Sequence, residues 1–165
     1  VQFEPLFRAA QRSAVHLEMR DGYGRDQDFE DWTAGRRFDP AERWQAWFDL
    51  VSQTTVRGVE IRRARIVSEP VSDYIRFEYD VTAGHNLKAG EDVRWLPRRQ
   101  ASDLALPGND FWLFDGETVL FNHFAGDGTM TGEELVTEPK TVALCAMAFE
   151  AVWRRAIPHA DYRPQ

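Results

Sequence analysis

The stretch Asp110–Phe124, DFWLFDGETVLFNHF, holds two apolar runs around an Asp-Gly pair. Asp and Gly accept the left-handed backbone that a tight turn between two strands requires, so the stretch predicts a β-hairpin and, with it, a sheet. The residues before it, Leu106–Asn109 (LPGN), read as a loop ending at the hairpin's mouth. Paired in register, the hairpin brings Asn109 and Asp110 against Asn122 and His123 on the adjoining strand. These four are either part of a site or the polar edge of a loop.

Working outward, residues 13–21 (SAVHLEMRD) alternate Val15, Leu17 and Met19 against His16, Glu18 and Arg20, which predicts a strand with one polar face. Residues 4–12 (EPLFRAAQR) before it have helical spacing. Residues 59–67 (VEIRRARIV) form a β-rich run in which Arg62, Arg63 and Arg65 cannot all share one side, so at least one arginine points to the more hidden face or the strand's end. Residues 91–97 (EDVRWLP) read as a short strand. Between these lie two predicted helices. Residues 39–58 begin with an Asp cap and first-turn proline, carry Trp44, Trp47, Phe48 and Val51 on one face, and stop at Gly58. Residues 71–84 stop at Gly84. The polar segment 21–40, containing DQDFEDW, reads as a loop or lid carrying Trp32. A C-terminal helix capped by Thr137 sets Val142, Cys145, Ala146, Phe149, Val152, Trp153 and Ala156 on one stripe. The expected fold is α/β: a single domain over residues 1–165 with a mixed sheet of about five strands and helices packed on it.

With 165 residues, a formal charge of −7 and a pI near 5.1, the chain is large enough for one core and too acidic for general nucleic-acid binding. A single cysteine, Cys145, excludes an internal disulfide. No signal peptide or membrane-spanning run is visible, so a cytoplasmic location is expected. A chain starting at Val1 is expected to lack a few initial residues. The four histidines and one cysteine have no metal-ligand spacing, and there is no glycine-rich phosphate loop or G-x-S-x-G elbow; neither metal nor cofactor is expected.

The order of elements, with the FWLFDG hairpin and the FEAVWRRAIP helix, resembles half of a phospholipase D-like domain. There the pattern is His, one residue, Lys, four residues, Asp, the last beginning the turn. With Asp115 as that Asp, the histidine falls on Gly108 and the lysine on Asp110. Neither can do the work of the pair, so the resemblance implies a domain without phosphodiesterase activity. The blocks RSAVHLEMRDGYG, RRARIVSEPVSDYIRFEYDVTAG, VRWLPRR, LPGNDFWLFDG and FEAVWRRAIPH also resemble an actinobacterial family of proteins with no assigned activity, often encoded beside helix-turn-helix regulators. That resemblance implies a regulator as a protein partner.

The residues themselves offer two candidate groups besides the hairpin mouth. Ser68, Glu69, Ser72, Asp73, Arg76 and Glu78 lie where a strand runs into a helix, the usual ligand position in α/β sheets. Read blandly, Ser68 caps the helix, Glu69 favours its positive end, and Arg76 and Glu78 are surface charges. Arg94, Trp95, Arg98 and Arg99 suit an anion or a planar ring, or form a solvated strand end. The leading reading is a non-catalytic binding or regulatory module whose cleft takes a small anion or a partner protein; a homodimer is possible on this reading. Glu69, Asp73, Arg76 and Trp112 line the cleft, Arg65 and Arg94 supply positive charge, Ser68, Asn109 and Asp110 sit at its edge, and the Trp32 segment covers it. Arg65 and Arg76 are expected to be held by Glu69 and Asp73. The alternative is an enzyme with Glu69 or Asp73 as acid/base and His123 or Arg65 stabilising charge. Buried carboxylates converging with an arginine in one concave pocket favour the enzyme; a shallow apolar groove disfavours it.

Overall fold

Seven short segments build one mixed sheet. The computed structural model describes residues 3–165, so the expectation attached to Val1 lies outside the described residues. In chain order the elements are α1 (Phe3–Ala9), β1 (Ser13–Glu18), α2 (Gln27–Thr33), α3 (Pro40–Arg43), α4 (Gln45–Val56), β2 (Glu60–Val67), α5 (Asp73–Thr82), β3 (Asp92–Pro97), β4 (Phe111–Phe114), β5 (Thr118–Phe124), β6 (Met130–Val136), α6 (Pro139–Arg155) and β7 (Ile157–Pro158). The spatial order is β6-β5-β4-β1-β2-β3-β7. β1, β2 and β3 run parallel, and the remaining neighbours pair antiparallel.

The hairpin forms as its sequence predicts: Phe111 pairs with Phe121 and Phe114 with Thr118. Asp115 and Gly116 take φ of 53° and 68° in the turn. The Asp115 carboxylate also accepts the backbone N–H groups of Gln11, Arg12 and Ser13, fastening the turn to the start of β1. Two strands beyond the expected five complete the sheet. β6 is mostly polar and exposed, so burial gave it no alternating pattern, and β7 is two residues long.

Period-two alternation divides the sheet's residues between two layers. On one face Val15, Leu17, Ala64, Ile66, Leu96, Phe111, Leu113 and Val119 pack against Cys145, Phe149, Val152 and Trp153 of α6. Its cap is Glu138, whose side chain accepts from Thr141 N, in place of the expected Thr137. On the other face Ala14, Ile61, Trp112 and Leu120 meet Phe7 of α1 and Leu50 and Val51 of α4. Further along, Val67, Val93 and Trp95 meet Ile75 of α5 and Tyr162. The three arginines of β2 split as the alternation requires. Arg62 faces α6, pairing with Glu150, while Arg63 and Arg65 are buried on the opposite side.

Three helical expectations need correction. Segment 21–40 contains α2, capped by Asp26 and packed through Phe29, so it is not a plain loop. The helix over 39–58 breaks at Trp44, whose φ of −112° and ψ of 43° separate α3 from α4. The helix expected to stop at Gly84 continues as a π-helical turn, Ala83–Leu87, because a glycine without positive φ need not end a helix.

Candidate functional site

The second face of the sheet should carry the polar side of β1, and it does, but that side is buried. His16 and Glu18 are 7% and 6% exposed, and Arg63 and Arg65 on β2 are 8% and 5% exposed. Together with α5, the π turn, Trp44 and Trp47 they enclose a cavity of about 380 Å³ at the C-terminal ends of β1 and β2. That is where open α/β sheets place ligands, and the volume suits a small molecule.

A chain of ion pairs forms its floor. Arg63 holds Glu91 through two hydrogen bonds of 2.9 and 3.0 Å and donates to Glu18 at 2.5 Å. Asn86, turned inward by the π turn, donates to Glu91 at 2.7 Å. Arg65 lies 3.4 Å from Glu18 and 3.6 Å from Glu78, and donates to Thr82 at 2.7 Å. Arg63, Glu18 and Glu91 are each buried beside a counter-charge, the condition for keeping them ionised. Burial alone would raise Glu18, but Arg65 and Arg63 outweigh it and hold its carboxyl down at about 2. Glu78 goes the other way. Burial, with Glu18 adding to it, outweighs the attraction of Arg65 and pushes it up to about 8.

Neutral groups complete the walls. His16 stacks on Trp112 at 4.1 Å, with Nδ1 2.8 Å from the Phe111 carbonyl. A carbonyl only accepts, so Nδ1 carries the proton and Nε2 presents its lone pair, 3.9 Å from Glu18. Burial and then Arg63 lower its pKa to about 4, so the ring is neutral. His85 is likewise lowered to about 4, chiefly by burial, and its Nε2 is buried with no hydrogen-bond partner. Asp110 accepts from Met19 N and, at 2.5 Å, from the Tyr23 hydroxyl; burial lifts its pKa to about 6 against the pull of that hydrogen bond. Opposite it Asn122 is bonded to Asp110 through the backbone and also lines the cavity.

Tyr23 is held in place by the β5–β6 turn. Gly128 has φ of 92°, and a Cβ there would stand 2.5 Å from Gly24 N and 3.2 Å from Gly22 O. Gly128→Ala is therefore expected to destabilise the fold by about 1–3 kcal/mol through backbone strain and displacement of this loop. Urea unfolding, with amide exchange over residues 20–26, checks both effects.

The residues singled out from the sequence fall in several places. Arg65, Asp110 and Trp112 line the cavity together. Ser68 and Glu69 lie in a separate surface recess with Arg98 and Arg99, and Asp73 in another with Arg20 and Arg25. Arg65 is held by Glu18 and Glu78 and not by Glu69, which accepts from Tyr162. Arg76 has no part in that chain of ion pairs. Ser68 is no helix cap: Ser72 caps α5, and Ser68 donates to Asp21 and accepts from Arg98. Arg94 faces α6, stacked over Trp153 at 4.2 Å. Asn109 is exposed, and His123, also outside the cavity, meets Glu134 on β6. Trp32 bonds Asp80, so Tyr23, Asp26 and Asp28, not Trp32, close the mouth from segment 21–40. Glu78, of the strand-to-helix group, lines the cavity from α5, while His16, Glu18 and Arg63 were the residues that sequence reading passed over as site members. Their signal was a polar residue at every second position of two strands otherwise fit for a core.

Among the described residues no three His, Cys, Asp or Glu side chains converge as a metal set, and no helix is long and apolar enough to cross a membrane. The fold is similar to a phospholipase D family member, Nuc from Salmonella typhimurium, at 11% identity and a TM-score of 0.52, over 97% of this chain and 88% of that one. It is also similar to TrmBL2, described as an archaeal chromatin protein with a novel mode of DNA binding, at 13% identity and a TM-score of 0.53. There 94% of this chain is covered but only 47% of the other, so the chain spans about half of that protein's length. At such identities the likeness concerns the fold. No curated protein matches the sequence. Residues 1–164 match the model of the family described as Domain of unknown function (DUF6879), and the chain belongs to that family.

Proposed function

We propose that the chain is a small-molecule-binding module whose ligand sits in the cavity between β1, β2 and α5. The observation that carries this reading is the cavity's floor, in which two arginines and three carboxylates are buried in mutual contact beneath walls of Trp44, Trp47 and Trp112. Such an arrangement costs several kcal/mol of desolvation per ion, a cost without purpose if the face were only a core. Arg94 lies on the far side of the sheet, so only Arg63 and Arg65 bring positive charge to the site, both already paired. The response would pass to a protein partner, for which the sequence resemblance suggests a helix-turn-helix regulator.

Native mass spectrometry of protein purified from its own host tests the reading. A retained small molecule that is lost in Trp112→Ala is the expected result. A bare mass, with no shift in melting temperature across a metabolite library, counts against it.

A second reading, an acid/base enzyme, draws on one specific observation. Glu18 and Glu78 are buried on either side of Arg65 with pKa values driven apart, and the neutral His16 offers a free Nε2 nearby. Environments that separate two carboxylates in this way mark acid and base roles. Glu78 would then be the acid and His16 the base, in place of Glu69 and Asp73. Chemical conversion of the retained molecule on incubation, abolished in Glu78→Gln with binding kept, would replace the binding reading by this one. Hydrolysis of bis(p-nitrophenyl) phosphate is not expected under either, since Gly108 and Asp110 stand where His and Lys would be needed.

A further inference from the structure

Five carboxylates line the cavity, from Glu18, Asp26, Asp28, Glu78 and Asp110, against two arginines, and no lysine is among the lining residues. Both arginines are engaged by carboxylates already, Arg63 by Glu18 and Glu91 and Arg65 by Glu18 and Glu78. Two atoms of the lining residues are buried with no hydrogen-bond partner. Glu78 Oε2 is buried with nothing bonded to it, and so is Nε2 of His85, a residue 6% exposed. His16 Nε2 presents its lone pair 3.9 Å from Glu18 Oε1, which already accepts from Arg63. Around them the faces of Trp44, Trp47, Tyr74 and Phe77 offer π surfaces that attract cations.

From these acceptors and π faces we infer that the ligand is an organic cation: a protonated amine or amidinium, carrying several N–H donors, joined to a planar or apolar body. The N–H groups are donated to Glu78 and to His16 Nε2, and the body lies among the aromatic rings. A phosphate or carboxylate would instead meet five carboxyl groups against two arginines that already lie beside Glu18. This inference rests on the reading of the cavity as a ligand site and specifies its occupant.

Glu78 gives the inference a signature. It is faced by Glu18 from β1, Arg63 and Arg65 from β2, Asp110 and Tyr23 from the loops at the mouth, and Tyr74 on its own helix. It keeps its proton at pH 7 in the free protein, having been raised to about 8 by burial. A cation beside it favours the ionised form, so binding releases that proton. Affinity must then climb by up to about tenfold per pH unit as pH rises toward 8, and level off above it.

The experiment uses three probes of one shape: benzamidine, the neutral benzamide and the anionic benzoate, with inorganic phosphate as a second anion. Binding is followed by tryptophan fluorescence, and proton release by calorimetry in two buffers of different ionisation enthalpy. The expected result is saturable quenching by benzamidine at least about tenfold tighter than by benzamide, no binding of either anion, and release of close to one proton at pH 7. In Glu78→Gln the proton release and the climb with pH both disappear. Benzoate or phosphate binding as well as benzamidine, or a proton release unchanged in Glu78→Gln, overturns the cation while leaving the cavity as a ligand site. No binding by any probe overturns the cation and counts against the site as well.

Discussion

Replacing Arg63 with methionine is expected to destabilise the protein by about 3–5 kcal/mol, the range for removing one member of a buried ion pair. The size follows from what is left behind. Glu91 loses two hydrogen bonds and keeps only Asn86, and Glu18 keeps only Arg65 at 3.4 Å. Both carboxylates are depressed in the folded protein, Glu18 to about 2. A depressed carboxyl contributes stability that is present above its unfolded value near 4.5 and is lost as pH falls through the folded value. In Arg63→Met that contribution shrinks, so the gap from wild type is widest at neutral pH and narrows in acid. Adding Glu91→Leu to Arg63→Met is expected to recover part of the loss, because the orphaned charge goes with its partner. Urea midpoints for the four proteins of this cycle, at pH 7 and pH 4, decide the matter. A loss under 1 kcal/mol for Arg63→Met alone would show that solvent reaches the pair and that the cavity floor is not dry.

The same ion pairs explain how far the sequence could be read. Elements whose faces differ in polarity were legible. The DFWLFDG hairpin, the β2 run with its divided arginines and the α6 stripe all fold as their periodicity dictates. The likeness to phospholipase D-like domains also holds at the level of the fold. β6 was not legible, since an edge strand with exposed Thr131, Glu134 and Leu135 lacks the alternation that burial imposes.

The site was half legible for a related reason. Position at a strand's end pointed to Arg65, which lines the cavity, and hairpin register brought Asp110 beside Asn122, whose backbone N–H it accepts. But periodicity reports which side chains share a face, not whether that face is wet. His16 and Glu18 alternate with Val15 and Leu17 just as the polar side of a half-exposed strand would. Only the partners on β2, α5 and the π turn, distant in sequence, make their burial affordable. The pairing of Arg65 with Glu69 failed on direction: Glu69 follows β2 at the other side of the chain's exit and reaches Tyr162. The left-over signal was the coincidence of Glu18 on one strand with Arg63 and Arg65 on another, and it becomes readable once β1 and β2 are known to be parallel neighbours pairing Glu18 with Arg65.

Glu78→Gln should stabilise the protein, by an amount that depends on pH in a defined way. Glu78 is raised from an ordinary 4.5 to about 8, first by burial and then by Glu18, against the attraction of Arg65. Between these values the native protein holds a proton that the unfolded chain has released, so stability falls as pH rises through the window and levels off above 8. At about 1.4 kcal/mol per pH unit the full window sets an upper bound of about 5 kcal/mol, and relaxation of the cavity brings the expected gain to about 2–4 kcal/mol. Glutamine keeps the shape and cannot ionise, which removes this loss. His16 and His85, lowered to about 4, act with the opposite sign: their contribution is lost as pH falls from 6.5 toward 4. Asp110, raised to about 6, falls off between 3.8 and 6. These terms are common to both proteins and cancel in the difference, so the comparison isolates residue 78. The variant is expected to match wild type near pH 4.5, to lead it progressively up to pH 8, and to hold a constant lead at pH 9, as read from urea unfolding at four pH values. A lead independent of pH would mean that Glu78 ionises normally in the folded protein, and the proton that the cation is inferred to displace would not be there.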